Sequence, residues 1–195
     1  MALLRIALAG EGGQGVQSVA EILAEAAYQS DRQAIYIPNF GLEQRGGVSI
    51  AFLQFSDQRI GAPRFNKADI IIALSDRAIG RTAIYSDSKT LFVYDASIQA
   101  PLEDFPQEYD QLLALPALEV ANETLHPRVF NIVIMGAVIG LTHVVSFDAA
   151  KDALVYKLKA KFDKDPNMRD LNFKALKLGE ELAAQALAKG GTPHA

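Results

Sequence analysis

A chain of 195 residues, half of them apolar and 22% charged, is long enough for one well-filled core and too apolar to stay disordered. Its net charge of −4, with no block of like charges, argues against nucleic acid or an anionic membrane as a partner. The absence of cysteine excludes a disulfide framework, a cysteine nucleophile, a Cys-based zinc site and a cysteine-ligated cluster carried by this chain, and it suits a cytoplasmic protein.

The first apolar run, residues 3–9, predicts a strand. It is no signal peptide, because it carries Arg5 and passes straight into glycines and an acid. GEGGQG, Gly10 to Gly15, follows at a strand-to-helix junction. In residues 16–27 the apolar positions Val16, Val19, Ala20, Leu23, Ala26 and Ala27 have the period of a one-sided helix. Runs at 34–37, 48–55, 70–74, 91–94 and 112–115 predict five more strands. Most are continuously apolar, as in strands covered on both faces.

After Pro116 the chain reads as helical. Residues 129–145 are interrupted by Asn131, Thr142 and His143 and fall short of the ~20 apolar residues a membrane span needs, so they predict a buried helix. Gly136 and Gly140 would let a neighbour approach one face of it. Ala150, Leu154, Leu158 and Phe162 make one helical stripe that ends before Asp165-Pro166, and Leu171, Ala175, Leu178, Leu182 and Ala186 make another. Residues 190–195 have nothing to pack and predict a mobile tail, leaving 1–189 as one domain. The fold class is α/β: a single domain with an open, mainly parallel sheet flanked by helices and a helix-rich C-terminal part. His126, His143 and His194 lie far apart without metal-ligand spacing, so no metal site is expected.

Gly10, Gly12 and Gly15 fit the G-x-G-x-x-G spacing of a dinucleotide loop, where glycines admit a pyrophosphate to a helix N-terminus. That motif needs an acid at the end of the second strand to hold the ribose. Here the strand ends Ile37-Pro38-Asn39, and Asp31 precedes it, so a dinucleotide is not the favoured ligand. A phosphate-binding loop would continue with Lys and Ser or Thr, and this chain continues Val16-Gln17. Tight strand–helix packing is the remaining reading, and Glu11 counts against a bare anion cradle.

A second glycine-rich run, IPNFGLEQRGGVSIAF, connects the second strand to the third. The connection leaves a strand's carboxyl end, the edge on which the first loop also falls. Arg45, flanked by Gly46 and Gly47, can present its guanidinium to a carboxylate or phosphate, or pair with Glu43 on the surface.

Taken together, GEGGQGVQSVAEILAEAA and PNFGLEQRGGVSIAF resemble the gamma subunit, or gamma domain, of 2-oxoacid:ferredoxin oxidoreductases. The resemblance continues through LALPALEVA, through NIVIMGAVIG from Asn131, and through NFKALKLGEE around Asn172, Phe173 and Gly179, so it covers nearly the whole chain. It implies a subunit of an enzyme that oxidatively decarboxylates pyruvate, 2-oxoglutarate, a branched-chain 2-oxoacid or indolepyruvate with coenzyme A and passes electrons to ferredoxin. In that family thiamine diphosphate, with its magnesium, and the iron–sulfur clusters belong to the alpha, beta and, where there is one, delta subunits. The resemblance therefore implies no catalytic residue and no metal in this chain, and no activity by it alone. Its candidate contacts to coenzyme A, another anion or the partner subunits are Gly10, Gly12, Gly13, Gln14, Gly15, Phe40, Gly41, Glu43, Arg45, Gly46 and Gly47. A stand-alone dinucleotide module and a purely structural assembly subunit are the alternatives.

Overall fold

The computed structural model describes residues 2–41 and 47–190. The strands β1 (Leu4–Glu11), β2 (Gln33–Asn39), β3 (Val48–Ser56), β4 (Ile70–Ala73), β5 (Leu91–Asp95) and β6 (Gln111–Leu115) form a six-stranded sheet in the order β2-β3-β1-β4-β5-β6. β1, β4, β5 and β6 pair in parallel, and β3 runs against both β1 and β2. The sheet is therefore mainly parallel with one reversed strand. All six strands coincide with the apolar runs that predict them, within about two residues at each end.

One expectation about the strands needs correction. β2 is not covered on both faces: it is an edge strand, and its residues are half-buried or exposed. Its apolar run packs over α1 (Val16–Gln29) on one side only. The turn from α1 into β2 places Asp31 at φ 56° on the edge of the sheet away from the glycine turn, which removes it as a ribose ligand.

The helices divide unequally between the faces. α1, α3 (Ala117–Thr124), α4 (Phe130–Thr142), α5 (Phe147–Lys164) and α6 (Pro166–Lys189) build the larger core with Ile6, Leu8, Leu53, Phe55, Ile72 and Val93. The other face holds the short α2 (Asp76–Thr82) and a cluster around Ala7, Ala9, Ile71 and Phe92. α2 and α3 are too short to show a helical period in the sequence. Their N-termini are instead held by side chains: the Ser75 hydroxyl accepts from the Ala78 N–H at 3.3 Å, and the Asp95 carboxylate from the Leu118 N–H at 2.9 Å.

α4 is apolar on every side and buried along most of its length, as its composition requires. No helix among the described residues is long and apolar enough to cross a membrane. Gly136 and Gly140 meet α6, as expected. A Cβ at Gly136 would run into the Leu176 carbonyl oxygen, and one at Gly140 would stand 2.9 Å from the Ala183 Cβ. Asp165 and Pro166 separate α5 from α6, with the Asp165 carboxylate accepting from the Asn167 N–H at 3.1 Å. Of the expected tail, 190–195, only Gly190 lies within the described residues, as does all of the expected domain but Met1 and 42–46.

Candidate functional site

β1 runs out at Glu11, which pairs with Val48, while Asn39 at the end of β2 pairs with Ile50. The glycine turn and the two ends of the 40–47 connection therefore meet at one edge of the sheet, as the sequence reading requires. Glu43, Arg45 and Gly46 lie outside the described residues.

The glycine turn divides into a stitched base and an open tip. The Gln14 amide oxygen accepts from the Glu11 N–H at 2.7 Å, and its Nε2 donates to the Leu74 carbonyl at 2.6 Å. Gln14, a candidate ligand contact, thus spends its side chain joining the end of β1 to the residue after β4. Gly10 leaves room for that amide, since a Cβ there would stand 2.6 Å from Gln14 Oε1. Gly15, at φ 74°, packs on Asn131 at the start of α4. These three positions carry the packing reading of the motif. Gly12 and Gly13 differ: they are exposed, nothing lies within 4 Å of a Cβ placed on either, and Gly13 has φ 96°. Within the glycine turn, only these two leave their backbone free for close approach.

α1 starts at Gly15 with no side-chain cap and no acid in its first turn. The first N–H groups of such a helix carry a partial positive charge and favour an anion. The Tyr36 hydroxyl on β2 donates to Gln17 Oε1 at 2.6 Å, while the Gln17 amide nitrogen is buried without a partner among the described residues. Burial and the nearby Glu21 carboxylate raise the Tyr36 pKa above its ordinary 10.0.

Across the β2 end lies a feature the sequence reading missed. A cavity of about 480 Å³ is lined by Ile37, Phe40, Phe52, Arg64, Phe65 and Tyr85, among others. Phe52 stacks edge-on to Phe65 and to Tyr85, with centroids 5.5 and 5.1 Å away. Phe40 is 68% exposed at its rim. The signal was Phe65 within the polar 57–69 segment and Phe52 before it, but nothing local ties that segment to β2. Such a cavity suits a flat or apolar group, with an arginine for an attached anion. Gly41 and Gly47, near the two ends of the 40–47 connection, are half-buried. Among the described residues no group of three or more His, Asp or Glu side chains is placed to hold a metal ion.

The strand order bears on the dinucleotide reading. In a dinucleotide fold the second strand lies beside the first, so that its terminal acid reaches the ribose. Here β3 stands between them, moving the β2 end to about 10 Å from β1 at ~4.8 Å per strand, and Asn39 ends it in place of an acid.

An open α/β sheet with a stitched glycine turn, and with its second strand displaced by a reversed one, defines a domain class other than the dinucleotide-binding one. The chain belongs to the pyruvate ferredoxin/flavodoxin oxidoreductase family, whose profile matches residues 5–182. It is 33% identical to the 2-oxoglutarate synthase subunit KorC of Methanothermobacter marburgensis, over 91% of this chain and 95% of that subunit. It is 30% identical to the ketoisovalerate oxidoreductase subunit VorA of the same organism, over 94% of this chain. The chain spans only 37% of the length of that VorA, so the corresponding stretch there is part of a longer polypeptide. In structure it resembles the keto/oxoacid ferredoxin oxidoreductase gamma subunit of Geobacter sulfurreducens, with a TM-score of 0.76, 28% identity, and coverage of 95% of this chain and 99% of that one.

Proposed function

We propose that this chain is the gamma subunit of a 2-oxoacid:ferredoxin oxidoreductase, acting in the cytoplasm with alpha and beta subunits, and with a delta subunit where there is one. The enzyme joins the acyl group of a 2-oxoacid to coenzyme A, releases carbon dioxide and passes the electrons to ferredoxin. Thiamine diphosphate with magnesium and the iron–sulfur clusters reside in the partners, which supply the decarboxylation and electron-transfer chemistry. This chain's part is to present the edge formed by Gly12, Gly13 and the 40–47 connection to the partners' active site, and to hold coenzyme A there.

The observation that supports this reading most is the contrast within the turn. Gly10, Gln14 and Gly15 are filled by the fold, whereas Gly12 and Gly13 face open space beside an uncapped helix start. Backbone N–H groups and the helix dipole at that point suit a phosphate. Exposed Phe40 beside an aromatic cavity favours a second role, docking of the partner subunits, at the same edge.

The test uses the reconstituted complex. Gly12→Val is expected to leave the fold intact, because no atom lies within 4 Å of the added Cβ. It is expected to raise the apparent constant for coenzyme A about tenfold or more, as is Arg45→Ala. Pull-down of the partner subunits separates ligand contact from docking. Unchanged coenzyme A use, assembly and turnover in both variants would overturn the assignment of this edge.

A further inference from the structure

Asn131, which packs on Gly15, also lines a second cavity of about 310 Å³ between α1, α4, α5 and α6. Three cationic side chains surround it: Arg128, Lys157 and Lys161. No aspartate or glutamate lines it, in a chain whose net charge is −4.

Several neighbouring lysines are paired locally. Lys151 bonds Asp148, Lys159 bonds Asp163 and Lys177 bonds Glu180, each three or four residues away on its own helix. Lys157 reaches Glu21 on α1 at 2.5 Å. Arg128 and Lys161 form no ion pair among the described residues. Both are exposed, so they leave two unpaired positive charges on the solvent side of the cavity.

The accessible apolar lining is Leu158 and Met168, both half-buried, whereas Ile22, Val129 and Ile132 are almost wholly buried. Ser18 and Asn131 add polar groups at the side. A cationic mouth over an apolar wall selects a molecule with an anionic head and an apolar body. The volume is at the small end of the roughly 300–1,000 Å³ range of ligand sites, which excludes a whole coenzyme A.

We propose that this cavity is a binding site for a small amphiphilic anion, an aryl or alkyl carboxylate or phosphate monoester. Arg128 and Lys161 hold the head group, and the apolar wall takes the body. Through Asn131 the occupant lies against Gly15, the first residue of the helix start that carries the glycine turn.

Isothermal titration calorimetry of the full chain at low salt tests this, with phenyl phosphate and phenylacetate as probes and with inorganic phosphate and benzylamine as comparators. The expected result is one site for at least one aromatic anion, with affinity about tenfold or more above both comparators. The double variant Arg128→Ala, Lys161→Ala is expected to lose about tenfold or more in affinity at an unchanged melting temperature, since both side chains are exposed. Relative strength of the two probes distinguishes a phosphate site from a carboxylate site. Absence of heat with both probes, equal binding of benzylamine, or unchanged binding by the double variant overturns the proposal. If the double variant instead weakens only capture of the partner subunits, the cluster is a protein-docking face and the small-anion site is refuted.

Discussion

Gly179 of α6 lies against the Val133 carbonyl of α4 with no room for a side chain between the two helices. Gly136 faces Leu176 from the other side, so the helices cross backbone to backbone. Close approach of this kind buries apolar α4 along most of its length, and it sets a sharp steric condition on three glycines.

Gly179→Ala is therefore expected to destabilise the protein by about 2–3 kcal/mol, as an overpacked core does, although alanine is the better helix former. Gly80→Ala is the matched comparison. Gly80 is exposed in α2, with its nearest neighbour, Asp104, 3.8 Å from an added Cβ, and this substitution should stabilise by up to ~1 kcal/mol. Urea denaturation of both variants decides it: equal midpoints would mean that the helices separate easily and that the close crossing is not a constraint.

Gln14→Ala removes two hydrogen bonds, to the Glu11 N–H and the Leu74 carbonyl, and should cost about 2 kcal/mol in stability. If it leaves the denaturation midpoint unchanged while coenzyme A use by the complex collapses, Gln14 is a ligand contact and its structural role is refuted.

Tyr36 gives a pH dependence. Burial first, and then Glu21, raises its folded-state pKa above 10.0, so the unfolded chain loses the phenolic proton at lower pH than the native one. The contribution is fully present below the unfolded pKa and is lost as pH rises through the folded value. Tyr36→Phe loses the hydrogen bond to Gln17 and should be about 1 kcal/mol less stable than wild type at pH 8. That gap should narrow above pH 10, where only the wild type pays the ionisation penalty. A gap independent of pH across denaturation curves at pH 8 and 11 would show that Tyr36 does not titrate with folding.

The purified chain by itself should be colourless, free of iron and thiamine diphosphate, and inactive with pyruvate, 2-oxoglutarate and ketoisovalerate. Cysteine-free composition is the basis for the first part, and family membership for the rest. Metal analysis and an absorption spectrum check it, and stoichiometric iron in the lone chain would sink it.

Much of this molecule was legible locally. Six strands, the one-sided α1, the apolar α4 and the Asp165-Pro166 break are written in periods and caps that depend on residues within a turn or two. The two glycine runs carried the family, and Gly136 and Gly140 announced a close helix neighbour before that neighbour was known. Cysteine content and charge alone removed whole classes of chemistry.

Strand order and side-chain partners were not legible, because they join residues far apart in the chain. Nothing near β3 says that it reverses between β1 and β2 and so moves the β2 end out of reach of a ribose. The partner of the Gln14 amide, the Leu74 carbonyl, lies 60 residues further along the chain. The aromatic cavity joins β2 to Phe65 and Tyr85, and the cationic one gathers Arg128 and Lys161 from separate elements. A local pattern reports which face of an element is apolar, whereas pairing and cavity lining depend on which distant elements end beside it. That choice comes from packing the whole chain at once.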